Sequence, residues 1–273
     1  MGASATGGRP VVPVLLYHAV TTTPGRQIAP FTVSPDDFAR QLDLVLDAGY
    51  RCTTFGDLLT REREGECPER LAVITFDDGY ADFASEAMPR LTARSLVSTL
   101  YLTTGWLEGG GPRTPGPTDR MLSMSQLPEL LDQGVELGAH SHSHPQLDTL
   151  QRRALDDELH RPKVILEDAL GRPVTTVAYP HGYSGPRVRR AARECGYDSG
   201  AGVRNALHHP GEDPFAVSRL TVTARTTPED VARWLDGAGA GQPPTGEAWQ
   251  TRAWRAYRRT RAVASRRPGS DYA

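Results

Sequence analysis

Short charge-poor runs alternate along this chain with longer stretches in which apolar residues recur every three or four positions. Residues 11–17, 71–76, 97–102, 135–139 and 174–179 are rich in Val, Leu and Ile, the pattern of strands buried on both faces. Residues 215–222 form a weaker sixth run. Helical spacing covers 35–48, 81–94, 125–133, 150–170, 186–195 and 228–235. The first of these starts behind a Ser34 cap and ends at Gly49, with Phe38, Leu42, Val45 and Leu46 expected on its buried face. Pro162 predicts a kink in 150–170, or its division into two helices.

This alternation predicts an α/β fold with a mostly parallel sheet under helices. Periodicity does not separate a closed barrel from an open sheet, but both place a site at the C-terminal ends of the strands. The chemically interesting residues fall there. His18 follows the first run, Asp77 and Asp78 the second, His140 the fourth, and Tyr179, Pro180 and His181 the fifth.

At 273 residues the chain suits one catalytic domain over 11–236, a short N-terminal segment at 1–10, and a linker with an Arg-rich tail at 237–273. A formal charge of −2 offers no field for nucleic acid, and none is expected as a partner. The charge is uneven. Residues 248–273 hold seven Arg and one Asp, which leaves −8 on the remainder. The tail includes Trp249, Trp254 and Tyr257, so weak contact with a membrane or a protein stands as an alternative to a plainly solvated terminus. No run approaches the ~20 apolar residues of a membrane span, and the Pro-interrupted start does not suit a signal peptide, so a cytoplasmic location is expected. Cys52, Cys67 and Cys195 form no CxxC pair and are expected to be reduced thiols.

Adjacent acids at a strand end point to opposite sides of the chain, so Asp77 and Asp78 are suited to different tasks, one on a metal and the other facing water or substrate. Gly79 permits a sharp exit from the strand. Three histidines fall within residues 140–144. The i, i+4 spacing of His140 and His144 places two imidazoles on one side of a helical turn, and one carboxylate would complete a His₂Asp site with open positions. The bland alternatives are an acidic turn capping the next helix and a solvated His-rich loop. Residues 109–117 are Gly- and Pro-rich and are expected to form a rim or lid.

The sequence TFDDG at 75–79 followed by HSHSH at 140–144 resembles the polysaccharide deacetylases of carbohydrate esterase family 4, which include chitooligosaccharide, peptidoglycan and poly-N-acetylglucosamine deacetylases. The resemblance spans about residues 12–222 and takes in Leu15-Leu16-Tyr17-His18, Phe38, Gln41, Leu42 and Gly49-Tyr50. It implies a distorted (β/α) barrel and a metal-dependent hydrolase that removes N-acetyl groups from an N-acetylglucosamine-containing carbohydrate. It also implies Asp77 as general base and Asp78, His140 and His144 as ligands of a divalent ion, usually zinc and sometimes cobalt, nickel or iron. Ser141 would fix the loop by a hydrogen bond. His142 would be no ligand and would line the site or lie exposed.

Two departures stand out. The family's Arg-x-Pro-Tyr reads Ala178-Tyr179-Pro180-His181 here, so a His181 backbone N–H would serve the oxyanion and another group must orient Asp77. Arg219 is the candidate. The late Leu-x-Ile-His is replaced by Leu220-Thr221-Val222-Thr223, which leaves His18 as candidate general acid, similar to the poly-N-acetylglucosamine branch. Trp106 and Tyr179 are candidates for stacking on sugar, with core packing as the alternative. The departures also motivate a second class of function, a catalytically inactive carbohydrate-binding or interaction protein on a deacetylase fold. An amidohydrolase reading of His140-x-His142 fits less well, because that motif comes mid-chain and Lys163 is the only lysine.

Overall fold

A computed structural model describes residues 11–66, 69–110, 113–241, 257, 258 and 260. The chain runs through β1 (Val14–Tyr17), β2 (Ala19–Val20), β3 (Thr32–Val33), α1 (Pro35–Asp47), β4 (Arg51–Thr53), α2 (Phe55–Arg63) and β5 (Leu71–Phe76). It continues through α3 (Met88–Thr92), β6 (Ser98–Leu102), α4 (Leu127–Asp132), β7 (Val135–Ala139), α5 (Arg152–Leu170) and β8 (Thr176–Ala178). The last elements are α6 (Pro186–Glu194), β9 (Ser199–Ala201), β10 (Leu220–Thr221) and α7 (Pro228–Leu235).

The main sheet is parallel throughout, in the order β10-β1-β5-β6-β7-β8-β9, with β4 beside the first half of β5. One chain segment draws its edges together. Val217 bridges to Ala201 in β9, and a few residues later Leu220 and Thr221 pair with Leu15 and Leu16 in β1. The sheet therefore curls into a distorted (β/α) barrel whose seam is irregular. The five strong runs all become strands because each buries both faces. The weak sixth shrinks to Leu220–Thr221. Two short strands, β4 and β9, and the helix α2 carry too few apolar positions to stand out in the sequence.

Helix α1 starts as expected, with the Ser34 hydroxyl accepting from the Asp37 N–H. Its buried face is Phe38, Gln41, Leu42 and Val45, the i, i+3, i+4, i+7 stripe. Leu46 falls off that stripe and is 39% exposed, contrary to expectation. Gln41 is buried because it accepts from the Tyr17 hydroxyl at 2.9 Å, giving a core phenol its partner. Tyr17, Phe38 and Phe83 surround Phe76, with centroid separations of 5.4, 5.7 and 4.9 Å. That cluster anchors the strand which ends in Asp77.

Two helix expectations change. Helix α5 runs as one element through Pro162, so the alternative of two separate helices is excluded, and Pro162 is itself buried with Leu155, Leu159 and Leu166 on either side. Burial of apolar residues along both halves outweighs the roughly 3 kcal/mol cost of an internal proline. The stretch 81–94 instead divides into a π turn at Phe83–Ala87 and the short α3, where Pro89 has no N–H for an α-helical bond. Cys52 and Cys195 are free, partly buried thiols, and Cys67 lies outside the described residues. Among the described residues no helix is long and apolar enough to cross a membrane.

Away from the strand ends that carry the acids, His208 fastens the start of β1 to α2. Its backbone pairs with Val12, and its buried ring has Nε2 2.7 Å from Glu62 and Nδ1 3.5 Å from Glu212. Burial opposes its charge, but the two carboxylates prevail and push its pKa up to about 9. A pKa raised from 6.5 contributes stability that is whole below pH 6.5, erodes above it, and is gone beyond about 9. The contribution is of the order of 3 kcal/mol, or a Tm change of about 2–4 °C per kcal/mol. Thermal melts should show Tm falling between pH 7 and 9.5, and His208→Gln should remove that slope. An unchanged slope would show that other groups cause it.

Candidate active site

Asp77 and Asp78 leave β5 at the C-terminal rim. Gly79 N–H turns back to the Asp77 carbonyl at 3.1 Å, with Asp78 at φ +79° and Gly79 at +93°. The positive φ favours glycine there, and a Cβ on Gly79 would also stand 2.9 Å from a Leu102 methyl that would have to shift. The turn sends the two carboxylates different ways.

Asp77 is buried and meets Arg219, itself fully buried, in a two-bonded pair of 2.7 and 2.8 Å. Arg219 also donates to the Gly202 carbonyl and to Thr75 Oγ1. Burial alone would raise the Asp77 carboxyl, but Arg219, with His140 beside it, holds it below the ordinary carboxylate value. The guanidinium expected where Ala178 stands thus arrives from just before β10.

Asp78 Oδ1 faces the other two predicted ligands, 3.5 Å from His140 Nε2 and 3.4 Å from His144 Nε2. It is buried and without a hydrogen-bond partner among the described residues. Donors about 2.0–2.1 Å from a tetrahedral ion stand about 3.4 Å apart, so these spacings suit a shared cation better than direct hydrogen bonds. Burial and the neighbouring Asp77 push Asp78 well above its usual value, while burial pushes His140 down and His144 far down. Left to themselves the three groups favour neutral forms, and a cation would restore the carboxylate while using the neutral imidazoles.

His140 Nδ1 lies 2.9 Å from the Ala178 carbonyl, which can only accept, so the proton sits on Nδ1 and Nε2 presents its lone pair. The His140–His144 segment is not the helical turn inferred from its spacing. Ser141 and His144 adopt φ of +63° and +58°, and the His144 N–H donates to Ser141 Oγ at 3.0 Å, the loop-fixing bond expected of Ser141. Glu158 of α5, which no sequence signal singled out, accepts from the backbone N–H groups of His142 and Ser143. His142 neither lines the site nor lies exposed, because its ring is buried with Nδ1 2.9 Å from Thr104 Oγ1.

A cleft of about 690 Å³ opens over this centre and is lined by His18, Phe31, Asp77, Asp78, His181 and Trp234, among others. His18 stands half-buried at its edge against Phe31, and burial draws its pKa down to about 4. His181 has φ +58°, with its ring 4.7 Å from that of His144. Two expectations fail. Tyr179 is fully buried in the core, packed against Gly200, and does not line the cleft. Trp106 is 1% exposed beneath Gly116, donates to the Pro115 carbonyl, and packs on His144. Neither ring is open to a sugar. Phe31, at 41% exposed, lines the cleft together with the half-buried Trp234. Part of the glycine-rich rim, Gly111 and Pro112, lies outside the described residues.

The chain is similar to the poly-β-1,6-N-acetyl-D-glucosamine N-deacetylase of Staphylococcus aureus (strain MSSA476), 20% identical over 218 residues that span 77% of this chain and 74% of that protein. Its fold is similar to Streptococcus pyogenes deacetylase PplD in complex with acetate, with a TM-score of 0.72, 24% identity, and coverage of 81% of this chain and 96% of that one. It is also similar to IcaB from Ammonifex degensii, with a TM-score of 0.71, 24% identity, and coverage of 84% and 98%. The family model for polysaccharide deacetylase matches residues 64–200, just over half the chain. That span holds both acids of the β5 turn and the histidine loop after β7, and with it this chain belongs to the polysaccharide deacetylase family.

Proposed function

We propose that this hydrolase cleaves the acetamide of an N-acetylglucosamine-containing carbohydrate, using a divalent ion held by Asp78, His140 and His144. The observation that carries the reading is the buried Asp78 Oδ1, with no hydrogen-bond partner among the described residues, facing two imidazole Nε2 atoms beside a second carboxylate kept anionic by Arg219. When bound, such an ion supplies Lewis-acid polarisation of an acetyl carbonyl and acidifies water. Zinc suits the donor set, and cobalt, nickel or iron would also be accepted.

The chain's own residues supply the remaining chemistry. Asp77 takes a proton from the attacking water as its oxygen bonds to the acetyl carbon. The His181 backbone N–H, held in a left-handed turn, donates to the developing oxyanion. The C–N bond then breaks and His18 delivers a proton to the departing amine, leaving acetate and a glucosamine unit. His18 is neutral at rest, so it takes up a proton from solvent as negative charge develops in the cleft, and Asp77 returns the proton it took from water to solvent when acetate leaves. The sugar class is supported by the Staphylococcus aureus relative, and Phe31 is the surface on which a sugar ring would lie. The two bonds from Arg219 to Asp77 support Arg219 in the role left open at Ala178, which weakens one of the two reasons for a non-catalytic reading.

The test is acetate release from N-acetylglucosamine oligomers and conjugates by metal-stripped protein, with and without added Zn²⁺, Co²⁺ or Ni²⁺. The stripped protein should be silent and the added ion should restore turnover. Undiminished release by the stripped protein would overturn the metal assignment. Silence with a tightly bound ion would redirect the search to other acetylated substrates.

A further inference from the structure

Arg258 stands in the Arg-rich C-terminal segment, yet it is only 8% exposed. Its guanidinium carbon lies 3.5 Å from the centroid of the Tyr183 ring, and the same group pairs with the carboxylate of Asp148, which is 1% exposed. These partners sit on different loops. Asp148 lies in the turn Leu147–Thr149, four residues beyond His144. Tyr183 follows the turn Pro180–Gly182, and its ring is 5.8 Å from that of His181. His181 in turn packs on His144.

We infer that Arg258 is a positioning residue, a clasp that ties the loop after β7 to the loop after β8 and so sets the separation of His144 and His181. The chemistry is specific to arginine. A flat guanidinium can lie over a phenol ring while its edge meets a carboxylate, whereas an ammonium offers a point charge and no plane. Asp148 needs a cation because it is nearly inaccessible to water. The link matters because reacting groups displaced by about 1 Å lose on the order of 10²-fold in rate. One consequence concerns the basic tail. At position 258 the charge is turned onto the chain's own catalytic rim, while Arg252, Arg255, Arg259, Arg261, Arg266 and Arg267 lie outside the described residues.

The catalytic part of this inference rests on the proposed deacetylase reading, and the structural part does not. Full-length Arg258→Ala should raise amide hydrogen exchange in 145–150 and 180–184 while the barrel strands are unchanged. It should lower kcat about tenfold with little change in KM. Arg258→Lys should recover only part of that loss, and ethylguanidinium added to Arg258→Ala should recover more than ethylammonium does. Wild-type exchange in both loops would overturn the clasp, and raised exchange with wild-type kcat would overturn its positioning role. Should Arg258→Ala fold poorly, Tyr183→Leu keeps the ion pair and removes the stacking face, and unchanged exchange in 180–184 would then count against the inference. If wild-type protein releases no acetate from N-acetylglucosamine oligomers and conjugates, the proposed substrate class fails while the exchange data still judge the clasp.

Discussion

Replacing Asp77 by asparagine should lower kcat by about 10³-fold, within the 10²–10⁴ attributed to a positioned general base, and leave metal affinity close to wild type. The carboxamide has nearly the same shape but no basicity, and the three groups that could hold the ion, Asp78, His140 and His144, are untouched. A stability cost accompanies the loss. Arg219 is fully buried, and the substitution leaves its guanidinium without a countercharge, with an amide N–H₂ facing one of its donors. Removing one partner of a buried ion pair costs roughly 3–5 kcal/mol, an upper figure here because one acceptor oxygen survives. Acetate release together with calorimetric titration of zinc separates the two roles. Activity within tenfold of wild type would show that Asp77 is not the base, and loss of zinc binding would show that it is a ligand.

The second large effect belongs to Arg219. Arg219→Met keeps much of the side-chain volume and deletes the charge, leaving the Asp77 carboxylate buried against the burial penalty that already pushes it upward. Three results follow from that one change. The protein should melt several degrees lower, at about 2–4 °C per kcal/mol lost for a domain of this size. The acidic limb of the rate profile should move to higher pH, because the carboxylate that must be ionised now protonates more readily. Even on the plateau kcat should fall by about 10²-fold, since the two-bonded pair also fixes where Asp77 points. Arg219→Lys returns the charge without the fork and should restore the pH limb more fully than the rate. A wild-type acidic limb in Arg219→Met would mean that the pair does not set the ionisation of Asp77.

The same pair shows where reading by sequence stops. Position 178 is alanine, so the guanidinium expected there is missing, and Arg219 is 142 residues from its partner. Arg219 could be named as a candidate because it lies beside a weak strand run. Its two bonds to Asp77 exist because the 217–221 segment crosses the barrel seam. Glu158 and His208 offered no such hint. Each is one charged residue among many until folding brings Glu158 beneath the histidine loop and buries His208 between two carboxylates.

By itself the sequence determined the alternating α/β plan, the five main strands and the chemical identities at their ends. The reason is that burial on both faces demands unbroken apolar runs, and the metal-binding and basic groups sit in short contiguous segments. Only the tertiary structure decided which aromatics face the cleft, because a ring at a strand end points wherever its covering loop allows, and Gly116 and Gly200 seal Trp106 and Tyr179 inside. It alone decided that α5 passes unbroken through Pro162, where packing along both halves outweighs a local penalty. It alone brought Arg219 to Asp77 and Arg258 to Asp148 and Tyr183, because pairings between distant charges depend on where the barrel closes and which surfaces are removed from water, quantities that no local pattern of residues contains.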